Sequence, residues 1–431
     1  MRIAIIVAVV LFVSLFALTT IPYTTSTRQD ALTEGFTTKE IETGVRRSVQ
    51  RDLIFWSATA VNLGLFGYLV LSGVARRWTD RIQRWMTERL ARSVPMEQCE
   101  TSQMTWWLTL VSVWACCFAV ERLLLFPFAI LSLENSRVWG MTDLSFLDWL
   151  GYYGQRVAFS ALLELAVVVG LFFLIRQLPR WWWIWAGALG SVLGILVVCV
   201  WPVWVVPMFY EVRPLEDAEL NARIVRLADK AEVTIDRVYV MNASSRSRHT
   251  NAYFMGLGAT RRILLYDTLL KSHSYDEVES VLAHEIGHWK HNHSLVGVAL
   301  WTCSGFLGFF LLRWALIWAI GRRPFRLRSQ SDPASIPYIL LVFLLANWAV
   351  LPVECAIQRH FERQADWVAL ELTENAQVFV GTEKKMARDN IANVVPNPFT
   401  VWMFSTHPTV LQRIGMARRW RAGLTPSPVG R

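Results

Sequence analysis

The sequence predicts a mostly α, polytopic membrane protein with about seven transmembrane helices and a polar region that contains a small β-sheet. Three observations carry this. The 431-residue chain is 54% hydrophobic, holds 22 tryptophans and has a mean hydropathy of +0.32, too apolar and too poor in charge for an ordinary soluble enzyme. Seven stretches approach or exceed the roughly 20 apolar residues that cross a bilayer core. One polar segment carries His284-Glu-Ile-Gly-His288, two histidines a helical turn apart with a glutamate beside the first.

The stretch 3–22 reads as an uncleaved first span: Arg2 is its only leading charge, the apolar run is long, and no small-x-small cleavage site follows cleanly. Further spans are expected at 53–74, 104–124, 157–175, 181–209, 295–320 and 336–353. Trp106, Trp107, Trp181, Trp182, Trp183, Trp201 and Trp204 gather near segment ends, as in an interfacial aromatic belt. Glu121, Arg122 and Glu164 fall inside spans. Charge in hydrocarbon is costly unless paired or hydrated, so the helices are expected to enclose a water-filled chamber. A non-catalytic transporter or scaffold would use the same three residues as a solute path, but it has no use for a glutamate beside a histidine pair.

Two polar regions, 210–293 and 354–431, are expected to form one folded unit. This divides the chain into spans one to five (1–209), a first catalytic part with the two-histidine helix (210–293), spans six and seven (294–353), and a second catalytic part with a C-terminal tail (354–431). The first part reads as a helix at 219–231, a strand at 237–241, a Ser/Arg-rich turn and an apolar run at 263–266. Ser274 with Glu277 three residues on, just ahead of Val278, Val281 and Leu282, is a capping box that opens the next helix. The tail 425–431, with Pro426 and Pro428, reads as disordered. The six cysteines, Cys99, Cys116, Cys117, Cys199, Cys303 and Cys355, lack C-x-x-C spacing and read as small core residues, not as a disulfide or metal framework.

Helix geometry turns the histidine spacing into chemistry. Residues i and i+4 share a face, so His284 and His288 can present imidazole nitrogens to one zinc ion while Glu285 sits close enough to deprotonate a bound water. The plain alternative is a helix that merely carries His284, His288, His291 and His293. A catalytic zinc usually takes three protein ligands, and Glu362 is the best third candidate. It lies in His360-Phe-Glu-Arg-Gln-Ala-Asp366, where Glu362 and Asp366 point the same way, one to the metal and one to a ligand histidine N–H. Glu354 is a rival that lacks a paired aspartate, and a solvated helix face with Arg359, Arg363 and Glu371 is the duller reading.

Together with Pro207-Met-Phe-Tyr210, Arg213-Pro-Leu-Glu-Asp-Ala-Glu-Leu220, the run from Ser245 to Thr-Asn-Ala-Tyr-Phe254, Arg262-Ile-Leu-Leu-Tyr-Asp267 and Ser405-Thr-His-Pro408 through Arg413, these motifs resemble the integral-membrane CAAX prenyl protease family (type I), over roughly 202–416. The resemblance implies a zincin-like catalytic domain of the HExxH/ExxxD gluzincin type with one zinc per chain. It implies that Asn251 and Ala252 line the substrate cleft, that His407 contacts the oxyanion, and that Arg413 supports the site through a carboxylate. The expected activity is a membrane-embedded zinc endopeptidase acting on membrane-associated or lipidated peptides; a quality-control protease for damaged membrane proteins is the alternative.

Charge adds a topological expectation. The net charge of +9 comes mostly from arginines in short loops, and no aromatic-basic recognition module accompanies them, so the bilayer and not nucleic acid is the expected partner. Arg76, Arg77, Arg81, Arg84, Arg89, Arg92, Arg176, Arg180, Arg322, Arg323, Arg326 and Arg328 fall on one side; Arg28, Lys39, Arg46, Arg47, Arg51, Arg137 and Arg156 fall on the other. Positive-inside bias alone puts the active site outside the cytoplasm. The resemblance to the eukaryotic family points to the cytosolic side instead.

Overall fold

The computed structural model describes residues 25–93, 98–233, 238–257, 260 and 262–424. The expected first span at 3–22 and the tail at 425–431 lie outside the described residues. In chain order the elements are α1 (Thr25–Thr33), α2 (Thr38–Leu71), α3 (Val74–Ser93), α4 (Gln98–Val138), α5 (Phe146–Gln177) and α6 (Trp182–Phe209). Next come β1 (Val212–Pro214), α7 (Ala218–Lys230), β2 (Val238–Met241), β3 (Ala252–Met255), β4 (Arg262–Tyr266) and α8 (Asp267–Ser272). The last are α9 (Tyr275–Lys290), α10 (His293–Ala319), α11 (Ile336–Thr373), α12 (Ala376–Asp389), α13 (Pro398–Phe404) and α14 (Val410–Arg421).

Among the described residues, α2, α4, α5, α6, α10 and α11 are long and apolar enough to cross a membrane, and they match the second to seventh expected spans. Several outrun the apolar stretches that announced them. The 41 residues of α4 reach about 60 Å at 1.5 Å per residue, twice a bilayer core, so hydropathy marks only part of each of the longer helices. The spans touch in the order α2, α4, α5, α6, α10, α11 and back to α2, which closes a ring. Only 6–22% of the residues in each apolar window are buried, and the buried ones from all six spans join in one core at the end away from the polar segments, with Phe66, Leu110, Phe172, Trp182, Leu316 and Ile339 among them. The intramembrane charges have partners: Asn62 Nδ2 donates to Glu121 at 3.1 Å, and Trp114 Nε1 donates to Glu164 at 3.1 Å. The cysteines depart from the core expectation. Cys117 and Cys355 are buried, but Cys116 and Cys303 are exposed, because a thiol on a spanning helix can face outward without leaving apolar surroundings.

At one end of the ring the polar segments condense. The sheet has the order β1-β2-β4-β3, with β2 and β4 parallel and both outer strands antiparallel to their neighbours. Leu220, Ile224, Ile263, Leu265, Leu282, Ile286 and Val368 form a common core from α7, the sheet, α9 and α11. Residues ahead of and at the start of the first described span join in: Ala31, Phe36 and Ile41 pack against Ala387, Val394, Val395 and Ile414. The sequence carried no signal for that contact, because it joins segments some 350 residues apart. The helix α11 also runs without a break through position 353, so one rigid element links the membrane part to the second polar region.

Candidate metal centre and active site

The capping box forms as the sequence indicates. Glu277 accepts from the Ser274 N–H at 2.8 Å, and Ser274 Oγ accepts from the Glu277 N–H at 3.4 Å, which fixes the start of α9 and therefore which face carries the motif. His284 and His288 then lie a turn apart with their Nε2 atoms 3.1 Å from each other. Across from them, on α11, Glu362 brings Oε2 to 3.2 Å from His284 Nε2 and Oε1 to 3.4 Å from His288 Nε2. Ligand-capable atoms of all three residues lie within 4.8 Å of one another.

The outward ring nitrogens decide the tautomers. His284 Nδ1 donates to Asp366 Oδ1 at 2.7 Å, and a carboxylate is acceptor-only, so Nε2 keeps its lone pair. For His288 the chain is longer. Gln364 Oε1 accepts from His293 Nε2 at 3.0 Å, leaving His293 Nδ1 to accept from His288 Nδ1 at 3.0 Å, and His288 Nε2 is again a lone pair aimed inward. Glu362 is 6% exposed, and its Oε2 is buried without a hydrogen-bond donor. Two inward lone pairs and an orphaned carboxylate oxygen form an N₂O donor set that fits a divalent metal. The same carboxylates call for positive charge at this point: burial pulls the His284 pKa down, but the hydrogen bonds and charges of Asp366 and Glu362 outweigh this and hold it at about 10, so the Nε2 lone pair would become available as a metal cation takes the place of the ring's second proton.

Glu285, on the same turn, accepts from the Phe254 N–H at 2.9 Å. Burial pushes its carboxyl above the usual range, against the pull of His284 and His288. Phe254 belongs to β3, the edge strand, whose outer side lies along α9. Asn251 and Ala252 open that strand; the Ala252 N–H donates to Asn251 Oδ1 at 2.9 Å. His407, on the loop between α13 and α14, brings Nε2 to 3.3 Å from Glu362 Oε2 while 61% of its side chain stays exposed. Arg413 reaches from α14 to Asp366, with Nε donating to Oδ2 at 2.8 Å. Glu354 is exposed and stands apart from the converging groups.

The model of peptidase family M48 matches residues 214–421, the stretch that holds every residue of this cluster. The chain is a metalloprotease, similar to that family over just under half of its length. It is 27% identical over 386 residues to the uncharacterized metalloprotease YhfN of Bacillus subtilis, covering 88% of this chain and 86% of that one. It is 34% identical over 251 residues to CAAX prenyl protease 1 of Saccharomyces cerevisiae, covering 52% of each. A crystal structure of S. mikatae Ste24p superposes with a TM-score of 0.70 at 23% identity, over 88% of this chain and 87% of that one, which establishes a shared fold.

The metalloprotease also holds residues that sequence reasoning passed over. His293 and Gln364 were legible only as a neighbouring histidine and a helix residue. Glu383 had no signal: it lies on α12, thirty residues from Arg413, yet it accepts from Arg413 Nη1 at 2.5 Å. Burial pushes Glu383 up to about 7, against the attraction of Arg413. Arg413 is thus held between two buried carboxylates, one of which holds His284.

Proposed function

We propose that this metalloprotease is a zinc-dependent endopeptidase that hydrolyses peptide bonds of membrane-associated or lipidated, CAAX-prenyl-like substrates. The convergence of His284, His288 and Glu362 beside Glu285, at the ends of helices long enough to span a bilayer, carries the proposal. His284, His288 and Glu362 would hold the zinc. When bound, zinc supplies a Lewis acid that lowers the pKa of water and polarises a carbonyl.

The remaining work falls to side chains of this chain. Glu285 takes the proton from the attacking water and passes it to the leaving amine, a role suited to a carboxyl whose affinity for protons is raised by burial. His407 donates from the exposed side to the oxygen that gains charge. Asp366 holds the His284 ring in its tautomer, and Arg413 holds Asp366. An extended substrate runs along the outer edge of β3 near Asn251 and Ala252 and pairs with its backbone. Catalysis in this reading belongs to a unit assembled from 210–293 and 354–431, with the spans delivering substrate from the bilayer side. The metal helix ends at Lys290, and α10 begins at His293, so a substrate anchored in the bilayer meets the site without crossing bulk water.

The test compares cleavage of a farnesylated C-terminal peptide with the same peptide lacking lipid, using the full chain in detergent with zinc. Faster cleavage of the lipidated peptide is expected. Equal rates would overturn the substrate class and favour a quality-control protease.

A further inference from the structure

At the end of the ring opposite the metal cluster, three connections are built into one platform. Arg76 is buried and donates from Nη2 to Asp80 at 2.7 Å and from Nη1 to Asp332. Arg328 pairs with Asp80 at 3.3 Å, and Trp182 Nε1 donates to Gln330 at 2.9 Å. These contacts tie α3, the start of α6 and the α10–α11 loop together. Over 72–101, 176–182 and 320–332 the sequence has twelve arginines, no lysine and five acids, and Asp80 and Asp332 are spent inside the platform.

The outer surface is therefore strongly cationic. Arg77, Arg81 and Arg84 are exposed at i, i+4 and i+7, on one face of α3, and Arg180, Arg322 and Arg323 are exposed on the neighbouring connections. Arg81, Arg180 and Arg323 have no acidic partner among the described residues. Aromatic rings stand among them: Trp85 is 52% exposed beneath Arg89, and Trp181 is 59% exposed next to Arg180. Arg176 lies over the Trp106 ring at 4.0 Å, and its buried Nη1 has no hydrogen-bond acceptor among the described residues. A buried donor without an acceptor is costly, and guanidinium is the side chain best shaped to take phosphate oxygens in pairs.

We propose that this arginine platform is a docking surface for anionic phospholipid headgroups, in the leaflet opposite the catalytic region. Its position at the ends of spanning helices, among exposed tryptophans, sets the guanidinium groups at headgroup depth. A basic surface there gains from each anionic lipid it meets, and salt screens the gain.

The experiment follows thermal unfolding of the full chain in neutral detergent with added phosphatidylglycerol or phosphatidylcholine. Phosphatidylglycerol should raise the unfolding midpoint by several degrees more than phosphatidylcholine, and about 0.5 M NaCl should remove most of that difference. The triple variant R77Q/R81Q/R84Q should keep the phosphatidylcholine midpoint and lose at least half of the phosphatidylglycerol increment. An undiminished increment in the variant, equal effects of the two lipids on the parent protein, or the full increment from inorganic phosphate alone would each overturn the proposal. The salt titration of the unsubstituted protein decides the question even if the triple variant does not fold.

Discussion

A Cβ placed on Gly287 would stand 2.7 Å from the Cα of Ala365, so α9 and α11 meet backbone to backbone between His284 and His288 on one side and Glu362 and Asp366 on the other. That contact lets a short carboxylate reach both imidazoles. Gly287→Ala should force the helices apart, cost about 1–3 kcal/mol of stability and weaken metal binding. Gly297→Ala, where nothing lies within 4 Å of the added carbon, should leave metal content unchanged. Unfolding midpoints and bound metal per chain check both.

Glu362→Ala should yield protein that folds but no longer holds stoichiometric zinc, whereas Glu354→Ala should retain it. Metal analysis of both variants after gentle purification distinguishes them, and the opposite pattern would move the third ligand to Glu354.

Glu285→Gln should keep zinc and fold while lowering kcat by about 10²–10⁴, the range for loss of a general acid–base group. Turnover near that of the parent protein would remove Glu285 from the proton transfers.

His407→Phe should lower kcat far more than it raises KM, with a loss on the order of 3 kcal/mol in transition-state stabilisation, and zinc should stay bound. Loss of zinc would instead assign the His407 ring, 3.3 Å from Glu362, to the metal environment.

His293→Phe preserves a ring to stack on Phe361, whose centroid lies 4.2 Å from that of His293, but deletes the acceptor for His288 Nδ1. Zinc affinity should fall by about 10–100-fold, the usual effect of removing a partner of a ligand histidine. Competition with a chelator reads this without reference to turnover, and an unchanged affinity would show that His288 needs no such partner.

The sequence by itself determined what is local. The i, i+4 spacing puts His284 and His288 on one helix face, the Ser274–Glu277 box starts that helix where it does, and apolar runs mark the spans, because each depends on residues within a few turns of one another. Segment ends were less legible: hydropathy reports the bilayer core, whereas α4 and α11 continue beyond it as uninterrupted helices. Only the tertiary structure decided how distant parts meet. Spacing left Glu354 and Glu362 both open as partners of the histidines; the close approach at Gly287 and Ala365 buries one in the cluster and leaves the other exposed. Glu383 beside Arg413, Gln364 behind His293, and the N-terminal residues Ala31, Phe36 and Ile41 beneath the catalytic unit carried no periodic or spacing signal. Their partners lie on other elements, and the packing of whole helices, not the order of residues along one, brings those groups within hydrogen-bond or van der Waals reach.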